Sequence, residues 1–166
     1  VIVACCDKEV KDYLKKNNIP FVMAKKKLNS GTDRVYEAVY VSSKKNYYKY
    51  IINLQGDIPD ISPNSIKKLV SIIKKKSVRM ATLVSKIKDS KSVNDKNIVK
   101  AVIAKNSELN KALYFSRAPI PYNAKEAFEH IGIYAYKIDT LKNFVNLKIG
   151  KLEITESLEQ LRALEN

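Results

Sequence analysis

The sequence predicts an α/β fold, a mostly parallel sheet flanked by helices with an inserted β-hairpin region. Three observations carry this. Short apolar, β-branched runs alternate with amphipathic helical patterns from Val1 to Val84, the rhythm of strand–helix–strand units. That rhythm then gives way to two strand patterns close together in sequence. Hydrophobic residues make up 45% of 166 positions, enough for one core and a single domain over 1–166.

The elements follow in order. Val1 to Cys6 is apolar throughout and reads as a buried strand. Lys8 to Asn17 reads as a helix with Val10, Tyr13 and Leu14 on one face, stopped by Asn17-Asn18 and Pro20. Ile19 to Ala24 is a second strand, and Lys25 to Asn29 a basic loop. Thr32 to Ser43 spaces Val35, Ala38, Val39 and Ser42 along one helix face. Tyr50 to Leu54 is a third strand. Ser62-Pro63 starts a helix, serine capping and proline in the first turn, with Ile66, Leu69, Val70 and Ile73 turned inward. Met80 to Val84 is the next strand. Ile98 to Ala104 and Ala112 to Phe115 form the expected hairpin, turning near Asn106-Ser107. After the extended Pro119-Ile120-Pro121, His130 to Tyr136 is a strand. Asp139 to Leu147 and Leu152 to Leu164 read as two helices.

Charge and cysteine content exclude several classes. The chain carries 31 Lys+Arg against 17 Asp+Glu, a net +14, but only Arg34, Arg79, Arg117 and Arg162 are arginines. Base readout favours arginine, and pairs such as Lys67-Lys68 and Lys74-Lys75 sit on solvated helix faces. No nucleic-acid partner is therefore expected, although a basic field can attract a triphosphate. No run approaches the ~20 apolar residues that span a bilayer. Val1 to Ala4 is too short for a signal peptide and lacks a basic flank. Cys5 and Cys6, the only cysteines, are adjacent and close no useful loop, so a reducing, cytoplasmic setting is expected. Both chain ends fall inside structural patterns, so the sequence reads as an internal fragment of a longer domain.

Open α/β sheets bind ligands beyond the carboxyl ends of their strands, and two motifs sit there. In Asn53-Leu54-Gln55-Gly56-Asp57 a buried strand delivers a carboxylate, Asp57, that could hold Mg²⁺ or could belong to a plain strand-to-loop turn. Ser30-Gly31-Thr32-Asp33-Arg34 opens a helix whose free N–H groups suit an anion, or it is an ordinary cap. Only four glycines occur, Gly31, Gly56, Gly132 and Gly150. Each is expected to meet a backbone need, by close approach or positive φ. Arg117 ends an apolar strand and could grip a carboxylate or make a structural ion pair. His130, the only histidine, has no serine or cysteine nucleophile arranged around it. No zinc spacing, P-loop or dinucleotide fingerprint is present.

Taken together and in order, SGTDR (30–34), NLQGDIP (53–59), MATL (80–83), ALYFSRAPIP (112–121), HIGIYAY (130–136) and LEQLRALE (158–165) resemble the 3-deoxy-manno-octulosonate (Kdo) cytidylyltransferases from end to end. The resemblance implies a nucleotide-diphospho-sugar transferase-like fold, a homodimer with the hairpin on the lid and dimer side, and CMP-Kdo formation from CTP and Kdo for lipopolysaccharide. It implies that Asp57 is catalytic and binds Mg²⁺, that Ser30 and Gly31 lie against the nucleotide, and that Gln55, Arg117, His130, Tyr134, Glu159 and Gln160 hold the sugar.

The sequence also departs from the family pattern. The family's phosphate loop and second metal aspartate fall outside this stretch, so the chain alone is expected to be inactive. Ile58 stands where many relatives carry an acid, and Lys25-Lys26-Lys27-Leu28 where many have a histidine. A sialic-type acid sugar is the nearest alternative substrate. A basic nucleic-acid-binding module and a non-catalytic remnant are the alternatives from other classes.

Overall fold

The computed structural model describes every residue except Lys26, Asn29 and residues 43–47 and 107–108. Parts of the expected basic loop, the expected helix end at Ser43 and the expected turn residue Ser107 lie outside the described residues. Strand β1 (Val3–Cys5) pairs in parallel with β2 (Phe21–Met23), with helix α1 (Lys8–Lys16) between them in sequence. Helix α2 (Gly31–Val41) leads to β3 (Tyr50–Leu54), and α3 (Pro63–Ile73) to β4 (Met80–Lys86). A short α4 (Ser90–Asn94), not foreseen in the sequence, precedes the hairpin of β5 (Lys100–Ala104) and β6 (Lys111–Ser116). Then come β7 (Phe128–Lys137), α5 (Ile138–Asn146), α6 (Lys151–Glu156), a 3₁₀ turn at Glu159–Leu161 and α7 (Arg162–Glu165).

The α/β class, the flanking helices and the inserted hairpin are as expected, but the strand directions are not. Parallel pairing occurs at β1–β2, whereas the five-stranded sheet is antiparallel at every recorded pair. The reason is β7. It lies between β3 and β4, antiparallel to both, so these two strands run in the same direction without touching. The β3–α3–β4 crossover was legible, but the later strand that fills the gap was not.

Helices cover β7 on both faces, which explains why Ile133 to Tyr136 are all buried. Tyr134 and Tyr136 point to one side, with Ile51, Leu141 and Phe144 and with Val35, Tyr36 and Val39 of α2. Ile133 and Ala135 point to the other, against Leu69 and Ile73 of α3. This is the two-residue alternation of a strand serving two cores. A third cluster packs Ala101 and Phe115 of the hairpin under Leu158 and Leu161.

Two expectations fail. Val10 and Tyr13 are exposed, and Leu14 alone of that helix face is buried; the sheet beside α1 has only two strands and covers little of the helix. The single helix expected over Leu152 to Leu164 is broken. Ser157 takes a left-handed conformation (φ 53°, ψ 47°) and ends α6, and the chain doubles back so that Leu152 and Leu164 are exposed while Leu158 and Leu161 are buried.

A buried ion pair closes that corner. Arg162, only 3% exposed, donates from Nε to Glu153 Oε2 at 2.8 Å and from Nη2 to Glu153 Oε1 at 2.6 Å. Its guanidinium also stacks 5.1 Å from the Phe144 ring centre. Removing one partner of such a pair strands the other charge. Arg162→Met is expected to lower unfolding free energy by about 3 kcal/mol in urea titration. Arg162→Met with Glu153→Leu is expected to recover most of that loss.

Candidate active site

The broken corner, the end of β3, the end of β6 and the first half of β7 enclose one cavity of about 540 Å³. Its wall includes Gln55, Asp57, Arg117, His130, Tyr134, Glu159 and Gln160. Seven side chains singled out in the sequence, up to 105 positions apart (160 − 55), therefore share one space. Ser30 and Gly31 are not in its wall.

Each residue is held differently. Gln55 follows β3 directly, and its side chain occupies the space above Gly132, where a Cβ would collide with Gln55 Oε1. Gly132 thus makes room for Gln55. None of the glycines has positive φ, so the conformational need expected of them is absent. Gly31 and Gly56 instead leave open space around their α-carbons, where a ligand can approach the backbone.

Arg117 is anchored by carbonyl oxygens rather than by the ion pair considered from the sequence. Its Nε donates to Glu156 O and its Nη1 to Lys96 O, both at 3.1 Å, leaving Nη2 free of protein partners among the described residues. Glu156, which the sequence did not flag, ties this corner to β6. Its carboxylate accepts from Ser116 Oγ at 2.7 Å and from the Arg117 backbone N–H at 3.0 Å. Burial pushes the Glu156 carboxyl up, but these hydrogen bonds outweigh it and hold it below the usual range. Lys100 was also missed. It is 0% exposed, and its Nζ donates to Asp95 O at 2.8 Å and Ile98 O at 2.6 Å. It thereby supports the 97–99 stretch of the cavity wall, and burial depresses its pKa. A lysine in a strand pattern reads as surface, so no sequence signal marked it.

The remaining wall is built for neutral, directional hydrogen bonds. Tyr134 donates its hydroxyl to Gln160 Oε1 at 3.2 Å, which turns the Gln160 amide nitrogen away as a spare donor. Burial raises the Tyr134 pKa, so this hydroxyl keeps its proton. Glu159 Oε2 accepts from Thr32 Oγ1 at 2.9 Å. Its Oε1 is one of two buried side-chain polar atoms without a partner among the described residues. Burial raises the Glu159 pKa against the hydrogen bond from Thr32.

Thr32 also connects the SGT loop to this cavity. Ser30 caps α2, its Oγ accepting from Asp33 N at 3.1 Å and donating to Asp33 Oδ2, so the cap reading of that serine holds. The fully buried Thr32 beside it bonds Glu159. The loop thus reaches the cavity through one hydrogen bond.

Asp57 is exposed in a turn at the cavity mouth, and its carboxylate has no hydrogen bond or ion pair among the described residues. No group of three or more His, Cys, Asp or Glu side chains capable of holding a metal occurs among the described residues. One uncommitted carboxylate fits Mg²⁺, which takes few protein oxygens and leaves positions for phosphate and water. It does not fit zinc.

Comparison with known proteins shows the family. The Cytidylyltransferase family profile matches residues 1–166. The chain belongs to that family. It is 42% identical to the 3-deoxy-manno-octulosonate cytidylyltransferase of Paramagnetospirillum magneticum, over 100% of this chain and 68% of the relative. It is 40% identical to that of Rickettsia prowazekii, over 99% and 65%. A solved structure titled CMP:2-keto-3-deoxy-manno-octonic acid synthetase complexed with CTP superposes with a TM-score of 0.86 at 35% identity, covering 99% of this chain and 67% of that one. The chain spans about two thirds of the length of these cytidylyltransferases. No helix among its described residues is long and apolar enough to cross a membrane.

His130 gives the cytidylyltransferase chain a pH signature. Burial pushes its imidazole down from 6.5 to about 4. Between these values the unfolded chain binds a proton that the folded chain excludes. Stability therefore falls as pH is lowered through that window, by at most about 1.4 kcal/mol per pH unit. The urea midpoint is expected to drop from pH 6.5 to about pH 4, and His130→Gln to flatten the drop. A midpoint difference that does not vary with pH would show the imidazole to be solvated.

Proposed function

We propose that the protein carrying this chain couples CTP and Kdo to CMP-Kdo and pyrophosphate, the activation step for lipopolysaccharide assembly. The observation that carries the reading is the convergence of Gln55, Asp57, Arg117, His130, Tyr134, Glu159 and Gln160 on one cavity. The named relatives and the CTP-complexed neighbour support it.

The cavity suits an acidic, polyhydroxylated ligand. The free Nη2 of Arg117 supplies positive charge for a carboxylate. Gln160, with its amide nitrogen turned away from Tyr134, offers a donor to hydroxyls, and Glu159 lies beside it in the wall. Ser30 and Gly31 border the nucleotide, where the open space over Gly31 admits a close approach. Held this way, the anomeric hydroxyl oxygen of the sugar forms a bond to the α-phosphorus as the bond from that phosphorus to pyrophosphate breaks, and the hydroxyl proton is released to solvent. The chain's part is chiefly positioning. Asp57 would hold Mg²⁺, which when bound neutralises phosphate charge and orients the reacting phosphate.

The same reading places the protein in the cytoplasm, where CTP is available, and makes it a homodimer. The exposed Leu113 on the hairpin and the exposed Tyr122 beyond it in sequence are side chains that a second copy would cover.

The test is pyrophosphate release by the complete protein from CTP, Kdo and Mg²⁺. Turnover is expected with Kdo, and turnover with a sialic-type sugar alone would overturn the substrate. Asp57→Asn is expected to lower kcat at least about 100-fold without changing the unfolding midpoint. Retained Mg²⁺-dependent turnover in that variant would remove the metal role.

A further inference from the structure

His130 Nε2 lies 2.8 Å from Thr82 Oγ1. The same hydroxyl lies 2.8 Å from Ile133 O and 3.2 Å from Ile131 O. A threonine hydroxyl carries one proton, and neither carbonyl can donate. The proton therefore goes to a carbonyl oxygen, and Nε2 must be the donor to Oγ1. A neutral imidazole protonated on Nε2 carries its lone pair on Nδ1. The ring's burial keeps it neutral.

Nδ1 makes no hydrogen bond within the described chain, and it is not among the buried polar atoms lacking partners. It is therefore open, and the open space His130 borders is the cavity. Phe115 and Tyr134, with ring centres 5.1 and 5.3 Å away, brace the imidazole.

The position of Thr82 has a local cause. The β4–β7 register shifts between Thr82 and Leu83, which oppose Tyr134 and Ile131, so Gly132 and Ile133 bulge out of the ladder. A bulge leaves ladder groups unpaired, and here the threonine hydroxyl meets the carbonyls of Ile131 and Ile133.

We infer that Thr82 is a positioning residue that sets the His130 tautomer, so that His130 presents Nδ1 to the cavity as an acceptor and selects a ligand hydroxyl there. A bare lone pair repels a carboxylate, so the acid group of the ligand is directed away from His130, toward Arg117. The ligand half of this inference rests on the cavity being the sugar site.

The experiment is long-range ¹H–¹⁵N correlation on the ¹⁵N-labelled complete protein at neutral pH, with His130 assigned by the signals lost in His130→Gln. The expected result is a protonated Nε2 and an unprotonated Nδ1. An Nδ1–H tautomer or an imidazolium in the wild type would overturn the inference, whatever any variant does. Thr82→Val is expected to mix the two tautomers and to raise KM for Kdo about tenfold, with KM for CTP unchanged. Thr82→Ser is expected to restore both. A Thr82→Val protein that keeps the wild-type tautomer would overturn the role of Thr82, and one with mixed tautomers and unchanged KM for Kdo would overturn the selection of a hydroxyl. The expected tautomer in a wild type that does not turn over Kdo would support the Thr82 assignment and overturn the functional reading instead.

Discussion

Strand β7 is enclosed on both faces, and the rest of the molecule is arranged around that constraint. Its second half, Ile133 to Tyr136, sends alternate side chains into two separate cores. Because β3 and β4 both pair with it, neither can shift register without carrying side chains to the wrong face. Its first half has a different environment. There the bulge beside Thr82 interrupts the ladder before it resumes at Leu83 and Ile131, and His130 and Gly132 border a cavity instead of a core. A rigid strand thus continues directly into the binding wall, and the site inherits the precision of the core.

The cavity's other side comes from a piece of chain with little regular structure. Residues 157 to 161 turn through a left-handed serine into a 3₁₀ turn, and so short a segment cannot hold a shape by backbone hydrogen bonds alone. Three interactions hold it. Leu158 and Leu161 pack on the hairpin, Glu156 receives hydrogen bonds from Ser116 and the Arg117 backbone, and Arg162 clamps Glu153. Glu159 and Gln160 are presented to the cavity because the residues on either side are fixed.

The electrostatics divide the site by function. Around the cavity wall, burial keeps His130 neutral and raises the pKa values of Glu159 and Tyr134. Directional hydrogen bonding therefore dominates where hydroxyl groups are to be told apart. At the mouth Asp57 is exposed and uncommitted, suited to charge that arrives with a ligand. The large positive net charge of the chain plays little part in this geometry. One buried lysine, Lys100, contributes by holding carbonyl oxygens of the wall.

The sequence by itself marked most of the elements and seven of the residues that line the cavity. Apolar spacing marked the strands and α3, with its Ser62 cap and Pro63, because periodicity and capping are local properties. The order of the motifs marked a family resemblance, and that resemblance implied the residues that meet in the cavity. Tertiary structure alone decided the rest. That β7 would enter between β3 and β4, that the last helix would break at Ser157, and that Thr32, Thr82, Lys100 and Glu156 would support the site are outcomes of long-range contacts. Thr32 meets Glu159 across 127 positions and Thr82 meets His130 across 48. Hydroxyls, a strand lysine and a helix-end glutamate look like ordinary surface residues in a sequence. What they do depends on which partner the folded chain brings within hydrogen-bond reach, and no local pattern encodes that.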